Sequence, residues 1–527
     1  MKKIPDQKGQ PITFKDRIAR RIYRFRTLSV FKHILIFYLL TTLIGALILY
    51  MPISQQEKVE VTFLDALFVA ASAFSDTGLV TVPTYSTWSY FGQAVIAVLI
   101  LTGGIGLFSL KVYFFNILLR RPISYNTNMT LSTERGSNKV GGSPRIIKIS
   151  VTILFCFILV FSFILTLYFY FVPVDMDPSK PGLSNEGKLG ISPYGSWSDA
   201  FRFGVFHTIS ALNNSGFDIV GPQSLAPYYF QFGLQLMFML LFIIGGIGYP
   251  VIYDCYLYFK SKFTKQPFRW SLFSKLSMVT YVIVALVGIA LVVVFEMTIK
   301  NERSFWKSSD AVFGNAGDRV MALIFNTMST RNAGFSTISM YDLSRYSLFV
   351  YIILMFIGSA PSSTAGGIRT TTLAIIIMGI WNRIRGREQV RVFRRVIPGQ
   401  TVERAYVVFA TSIALVFLVN AIGNTSFNDY GGLLNDQKYT PIDAGSVLAR
   451  RDDKFTFLEL LFEVSSAFGT TGLSTGLTSG LSASTKSSMI LIMFIGQLGV
   501  SSTILLWGRR NSTAKHYSYV EEDVNIG

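Results

Sequence analysis

The chain has 527 residues, of which 50% are hydrophobic, 14% aromatic and only 15% charged, with a mean hydropathy of +0.44. Soluble domains carry roughly 25% charged residues, so this composition excludes an ordinary soluble enzyme and points to a polytopic membrane protein. The net charge of +18 sits in clusters between apolar runs rather than on one domain, so nucleic acid is not an expected partner.

Eight apolar runs approach the ~20 residues that cross a bilayer. They are Ile34–Met51, Ala94–Leu119, Ile149–Val172, Tyr228–Tyr258, Met278–Phe295, Leu348–Ile380, Ala405–Ile422 and Met489–Trp507. The expected fold is therefore an all-α polytopic membrane protein. Basic clusters precede the first run and follow the second, fourth, sixth and eighth, as with Arg120, Arg121, Lys260, Lys262, Arg383, Arg385, Arg509 and Arg510. By the positive-inside rule these segments and both termini are cytoplasmic in a multi-pass cell-membrane protein, with some attraction to anionic membrane lipid.

The connections on the opposite side repeat. They contain DALFVAASAFSDTGL, FGVFHTISALNNSGF, MALIFNTMSTRNAGF and LELLFEVSSAFGTTGL, centred on Gly78, Gly216, Gly334 and Gly472 at intervals of 138, 118 and 138 residues. A large apolar residue follows each glycine (Leu79, Phe217, Phe335, Leu473), and Phe68, Phe206, Ile324 or Phe462 stands ten residues before it. An internal repeat of this kind outweighs any single motif. The organisation read from it is a basic segment 1–31, repeats at 32–120, 149–262, 271–395 and 400–510, and a tail 511–527. Asp175–Ser198 and Ser426–Lys454 are long hydrophilic stretches without an evident role.

Each repeat reads as span, short apolar helix, glycine turn, span. Phe63–Phe74 spans roughly 18 Å as a helix, too little for a ~30 Å hydrocarbon core. It must dip in and return, which is tolerated only inside protein or beside water. Eight full spans plus four re-entrant pore helices around a central pore follow. Glycine permits φ > 0, so four turns on one axis can present backbone oxygens in place of a cation's water. The C-terminal ends of the short helices add partial negative charge. Asp65, Asp199, Asp318 and Glu459 near the helix starts can cap the N termini, draw in cations, or simply be solvated.

Other candidates are weak. Cys156 and Cys255 read as small buried hydrophobes, and His33, His207 and His516 are too dispersed for a metal site. His207 reads as a structural group, and Glu463 and Asp254 call for the same caution. No GxxxxGK[ST] phosphate loop or catalytic constellation stands out, so no enzyme activity and no cofactor in this chain are expected.

The turns SDTGL, NNSGF, RNAGF and GTTGL resemble those of the Trk/Ktr/HKT superfamily of potassium transporters, most closely the Ktr-type membrane subunit, over Lys32 to Arg510. The resemblance implies a selectivity filter at Asp76, Thr77, Gly78 and Leu79; Asn214, Ser215, Gly216 and Phe217; Asn332, Ala333, Gly334 and Phe335; and Thr470, Thr471, Gly472 and Leu473. Potassium would be held there by backbone carbonyls, with sodium as a possible second cargo. It also implies that the polar interruption of the sixth run, 357–372, is an intramembrane gating loop carrying Ser362, Ser363, Thr364, Gly366 and Gly367. Arg369 lies just beyond, facing the cytosol or a pore-side acid. A homodimer regulated by a cytosolic, nucleotide-binding RCK-type subunit is implied as well. The glycine clusters at Gly103, Gly104 and Gly106, at Gly245, Gly246 and Gly248, and at Gly496 and Gly499 suggest close helix packing. One departure is Gln497, a pore-lining position where the family usually has arginine. Asp76 is a second oddity, either contacting the ion or hydrogen-bonded behind the filter. Competing readings are a less selective sodium/potassium transporter and a secondary transporter for an organic solute. The latter would need inverted repeats, whereas these four run parallel.

Overall fold

The structure, a computed structural model, describes residues 30–57, 59–106, 109–110, 113, 143–174, 192–221, 224–299, 304–307, 313–393, 395–427 and 456–500. The basic N-terminal segment, the tail and most of both long hydrophilic stretches lie outside the described residues. Repeat one supplies α1 (Val30–Tyr50), the short α2 (Phe63–Phe74) and α3 (Tyr90–Ile105). Repeat two supplies α4 (Ser143–Phe171), the short α5 (Trp197–Leu212), α6 (Phe232–Gly246) and α7 (Tyr249–Thr264). Repeat three has α8 (Leu272–Thr298), the short α9 (Ala316–Ser329), α10 (Arg345–Phe356) and α11 (Thr370–Ile384). A two-residue hairpin, β1 (Arg391–Val392) and β2 (Arg395–Val396), leads to repeat four: α12 (Gly399–Gly423), the short α13 (Phe457–Gly469) and α14 (Ala483–Leu498).

The short helices have 12, 16, 14 and 13 residues, or about 18–24 Å at 1.5 Å per residue. Each starts on a polar cap. Thr62 and Ser196 accept from the N–H of Asp65 and Asp199, while Asn315/Asp318 and Thr456/Glu459 form reciprocal capping boxes. Asp318 and Glu459 accept the backbone N–H of the cap residue, while Asp65 and Asp199 accept the hydroxyls of the capping Thr62 and Ser196, so all four acids belong to the helix starts. Asp65 also pairs with Lys486 at 3.1 Å and Asp199 with Arg202 at 2.9 Å.

Packing closes the four repeats on themselves. Each short helix packs on the first helix of its own repeat, and α3, α6, α10 and α14 pack against the short helices α5, α9, α13 and α2 of the next repeat in turn. The α14–α2 contact joins the last repeat to the first. The outward faces are apolar: Val279, Val282, Ile283, Leu286, Val287 and Val294 of α8 are about half exposed. Such a face belongs against lipid rather than water. Three helices, Arg145–Phe171, Leu272–Thr298 and Gly399–Ser426, are each long and apolar enough to cross a bilayer alone.

Three expectations change. The fourth run is not one continuous helix: α6 and α7 meet at 102°, because Gly248 adopts φ +82 and Pro250 opens α7. In the second run α3 breaks after Ile105, where Gly106 has φ +88, and in the eighth α14 breaks after Leu498, where Gly499 has φ +85; most of each run beyond these glycines lies outside the described residues. These last glycines break helices rather than pack them. Cys156 is exposed on the same α4 face as Leu159, Val160 and Phe163, and Cys255 is half-buried; neither is a core residue. The predicted break in the sixth run is present between α10 and α11.

Candidate functional site

All four short helices end in the same way. Asp76, Asn214, Asn332 and Thr470 are left-handed, with φ of 51, 56, 77 and 50°, and two residues later Gly78, Gly216, Gly334 and Gly472 have φ of 85, 71, 78 and 92°. The N–H groups of Thr77, Ser215 and Thr471 reach back to the carbonyls of Ser72, Ser210 and Ser466, and that of Ala333 to Ser329. These are Schellman-type helix ends. They turn the N–H groups toward the helix and leave the next carbonyls to the opposite side.

The four glycines meet around one axis. A Cβ on Gly78 would stand 2.1 Å from the Ser215 carbonyl oxygen, and one on Gly216 2.7 Å from the Gly334 Cα. On Gly334 it would stand 2.2 Å from the Thr471 oxygen, and on Gly472 2.4 Å from the Thr77 oxygen. Each glycine therefore abuts the next repeat, and the fourth abuts the first. The carbonyl oxygens of Thr77, Ser215, Ala333 and Thr471 lie in this ring, where any side chain would collide with backbone. Leu79, Phe217, Phe335 and Leu473 are buried; Phe335 stacks on Phe242 at 5.7 Å, and Leu473 lines the cavity beside the ring.

The side chains two before each glycine bind behind the ring. Asp76 accepts from Gln497 at 3.1 Å. Asn332 accepts from Ser359 at 3.0 Å and donates to the Gly469 carbonyl. With its amide oriented to satisfy its neighbours, Asn214 donates to Phe242 and Ala211 and accepts from Gly246. Thr470 accepts from the Gly366 N–H at 2.7 Å. Asp76 is thus hydrogen-bonded to the end of α14.

The loop between α10 and α11 meets these turns on their helix side. Its base is closed by Ile368 N–H to the Phe356 carbonyl and Thr370 N–H to that of Ser359, both 3.1 Å. Ser363, Thr364, Gly366 and Gly367 are buried and Ser362 half-buried. Ser362 and Gly367 have φ of 62 and 73°. The loop's polar backbone finds partners in the break between α6 and α7: Tyr249 N–H donates to Ser362, Ala360 N–H to Gly246, and the Thr364 hydroxyl to Gly245. Arg369 donates to the Ala365 carbonyl and, at 3.0 Å, to the Gln497 carbonyl.

Sequence reasoning missed Arg331 and Asp218. Arg331 is buried behind the third turn, donates to the carbonyls of Leu354, Ile357 and Gly358 at the broken end of α10, and lies over Tyr281. On the other side of the ring is an open cavity of about 130 Å3, lined by the four glycines and by Val80, Asp218, Ser336 and Ser474, two residues beyond them. Its wall is braced by the buried Glu463, which accepts from Ser474, Thr475 and Thr478. His207 is structural: its two ring nitrogens bond the Phe203 carbonyl and the Ile219 N–H. Asp254 receives the Ser271 and Ser274 hydroxyls at the start of α8. Aligning the four turns residue by residue would have exposed both omissions, since neither charge recurs in the other repeats.

A ring of inward-returning helix ends inside a lipid-facing helical shell defines a multi-pass helical membrane transporter. The TrkH family, described as cation transport protein, matches residues 17–431 and 442–513. The chain belongs to this Trk/Ktr family, a family of transporters rather than enzymes. It is 32% identical to an uncharacterized cation transporter, MG322, of Mycoplasma genitalium over 95% of this chain and 97% of that one. It is 31% identical to the Ktr system potassium uptake protein D of Bacillus subtilis over 95% and 98%. The crystal structure of the potassium transporter TrkH from Vibrio parahaemolyticus shares the fold, with a TM-score of 0.60 at 13% identity over 92% of this chain and 86% of that chain.

Proposed function

We propose that the chain takes up potassium across the cell membrane through the ring of Gly78, Gly216, Gly334 and Gly472. The carrying observation is the closure of that ring, in which each glycine faces a carbonyl-bearing backbone of the next repeat. Oxygens of Thr77, Ser215, Ala333 and Thr471 then replace hydration water without side-chain charge. The relatives named for cation transport and potassium uptake support this cargo. Membrane potential suffices as a driving force: about 2.3 kcal/mol per charge per 100 mV, or near 50-fold accumulation at roughly 1.4 kcal/mol per tenfold. No cofactor within the chain is required.

The loop 357–372 under the ring is the gate in this reading, with Ser362, Ser363, Thr364, Gly366 and Gly367 as its moving part and Gln497 beside it. The basic segments face the cytosol, as do both termini. A homodimer on a cytosolic nucleotide-binding RCK-type subunit is the assembly that the resemblance supports.

Rubidium uptake in a host lacking its own potassium uptake tests the proposal. The wild-type chain should restore uptake that potassium competes for better than sodium. Gly78→Ser should lose that preference, and Gly334→Ala should lose uptake. Unchanged rate and preference in both variants would refute it.

A further inference from the structure

We propose that the Asp218 carboxylate is a recruiting site for monovalent alkali cations at the outer mouth of the ring, occupied before an ion enters it. This rests on the pathway and orientation proposed above. The four positions two residues beyond the ring glycines, Val80, Asp218, Ser336 and Ser474, all line the cavity above the ring. Four pseudo-equivalent places thus face one space, and one repeat alone puts a charge there. Among the described residues lining that cavity, Asp218 is the one ionisable group; the others are glycines, hydroxyl residues and three apolar side chains.

Asp218 is half-buried and lines the cavity together with Ser224 of the loop that follows it. That loop is tied to the third repeat by the Leu225 N–H to the Ser336 carbonyl at 2.9 Å and the Ser336 N–H to the Ser224 hydroxyl at 3.4 Å. The charge therefore keeps its position over the ring, and hydroxyls of Ser336, Ser339 and Ser474 stand in the same cavity. A single acid in a low-dielectric funnel focuses the field and raises the local cation concentration. A cation beside the carboxylate also offsets the cost of burying it.

Few groups oppose or mimic this charge. From the first repeat, Tyr85 senses Asp218. From the fourth, Glu463 lies behind the hydroxyls of Ser474, Thr475 and Thr478. No basic side chain is among the described cavity-lining residues.

The test is rubidium uptake by the full-length chain in potassium-uptake-deficient cells at low and high ionic strength. Asp218→Asn should raise KM by about threefold or more at low ionic strength and leave Vmax unchanged. High concentrations of an impermeant salt should shrink the difference, because screening weakens the field. Adding Ser336→Asp to Asp218→Asn should restore KM, since the charge returns to the same level of the cavity; a residue that merely shaped its loop would not be rescued this way. An unchanged KM in Asp218→Asn, or a raised KM that Ser336→Asp fails to restore, overturns the inference. Intact uptake and preference in both Gly78→Ser and Gly334→Ala would instead overturn the pathway itself.

Discussion

The Gln497 side-chain amide donates to Asp76 at 3.1 Å, joining the end of α14 to the turn that begins the ring in the first repeat. One contact thereby links the two ends of the sequence behind the ring. It also accounts for both departures at once: an unusual acid in the first turn meets an uncharged donor in the last span.

The pair predicts a coupled response. In Gln497→Arg the guanidinium meets the Asp76 carboxylate and forms an ion pair, so uptake should stay within about threefold of wild type. In Asp76→Asn/Gln497→Arg the new cation has lost that partner beside a cation pathway, and uptake should fall by about tenfold or more beyond the product of the single effects. Rubidium uptake normalised to protein in the membrane measures the cycle. A double variant no worse than that product would mean the two residues are not coupled.

Arg331 makes a different prediction. Breaking α10 exposes the carbonyls of Leu354, Ile357 and Gly358, and one planar guanidinium receives two of them through one nitrogen and the third through another. Lysine carries the charge without the fork. Arg331→Lys should therefore cost about 2–4 kcal/mol of stability, read as a lowered melting temperature of the detergent-purified protein. Arg331→Met should cost at least as much. A melting temperature unchanged in both would show that water or other groups satisfy those carbonyls.

The repeat and the place of each turn were legible in the sequence because they are local. Phe63–Phe74 is bounded by a threonine cap and a left-handed residue, and its apolar run is too short to cross. The same logic located the break between Phe356 and Thr370. What stayed hidden depends on residues distant in the chain. The α6–α7 bend was invisible because Tyr228–Tyr258 remains apolar across Gly248, and only the loop packed there reveals why the helix must yield: a Cβ on Gly248 would lie 2.6 Å from the Pro361 carbonyl. The role of Asp76 depended on Gln497, 421 residues away.

Packing of the second helices was read correctly for part of each glycine cluster, and it can be tested there. A Cβ on Gly103, Gly245 or Gly496 would lie 1.9, 2.1 or 2.0 Å from the carbonyl oxygen of Phe74, Leu212 or Phe468, the last turns of the short helices α2, α5 and α13. Backbone cannot yield as a side chain can, so alanine at any of the three should lower thermal stability by about 1–3 kcal/mol or more. Gly317, in the first turn of α9 with nothing within 4 Å of its would-be Cβ, is the contrast. Alanine there should be neutral or stabilising by up to about 1 kcal/mol. Equal effects at all four sites would contradict the packing account.

Thr470 joins the proposed gate to the ring directly. A β-branched residue at φ 50° is strained by about 1–3 kcal/mol, and what holds it is the loop. The Gly366 N–H donates to its hydroxyl at 2.7 Å, and a Cβ on Gly366 would lie 2.5 Å from its methyl. Thr470→Val keeps the shape and removes the acceptor, leaving the loop's N–H without this bond at a cost of about 1–3 kcal/mol. That cost falls on the docked loop. If the docked loop obstructs passage, Thr470→Val should lower thermal stability yet raise the maximal rate of rubidium uptake per molecule, whereas Thr470→Ser should preserve both. Gly366→Ala should act in the same direction as Thr470→Val, because its methyl displaces the loop from the same threonine. A fall in stability and uptake together in Thr470→Val and Gly366→Ala would mean that the contact only holds the ring in shape and that passage is controlled elsewhere.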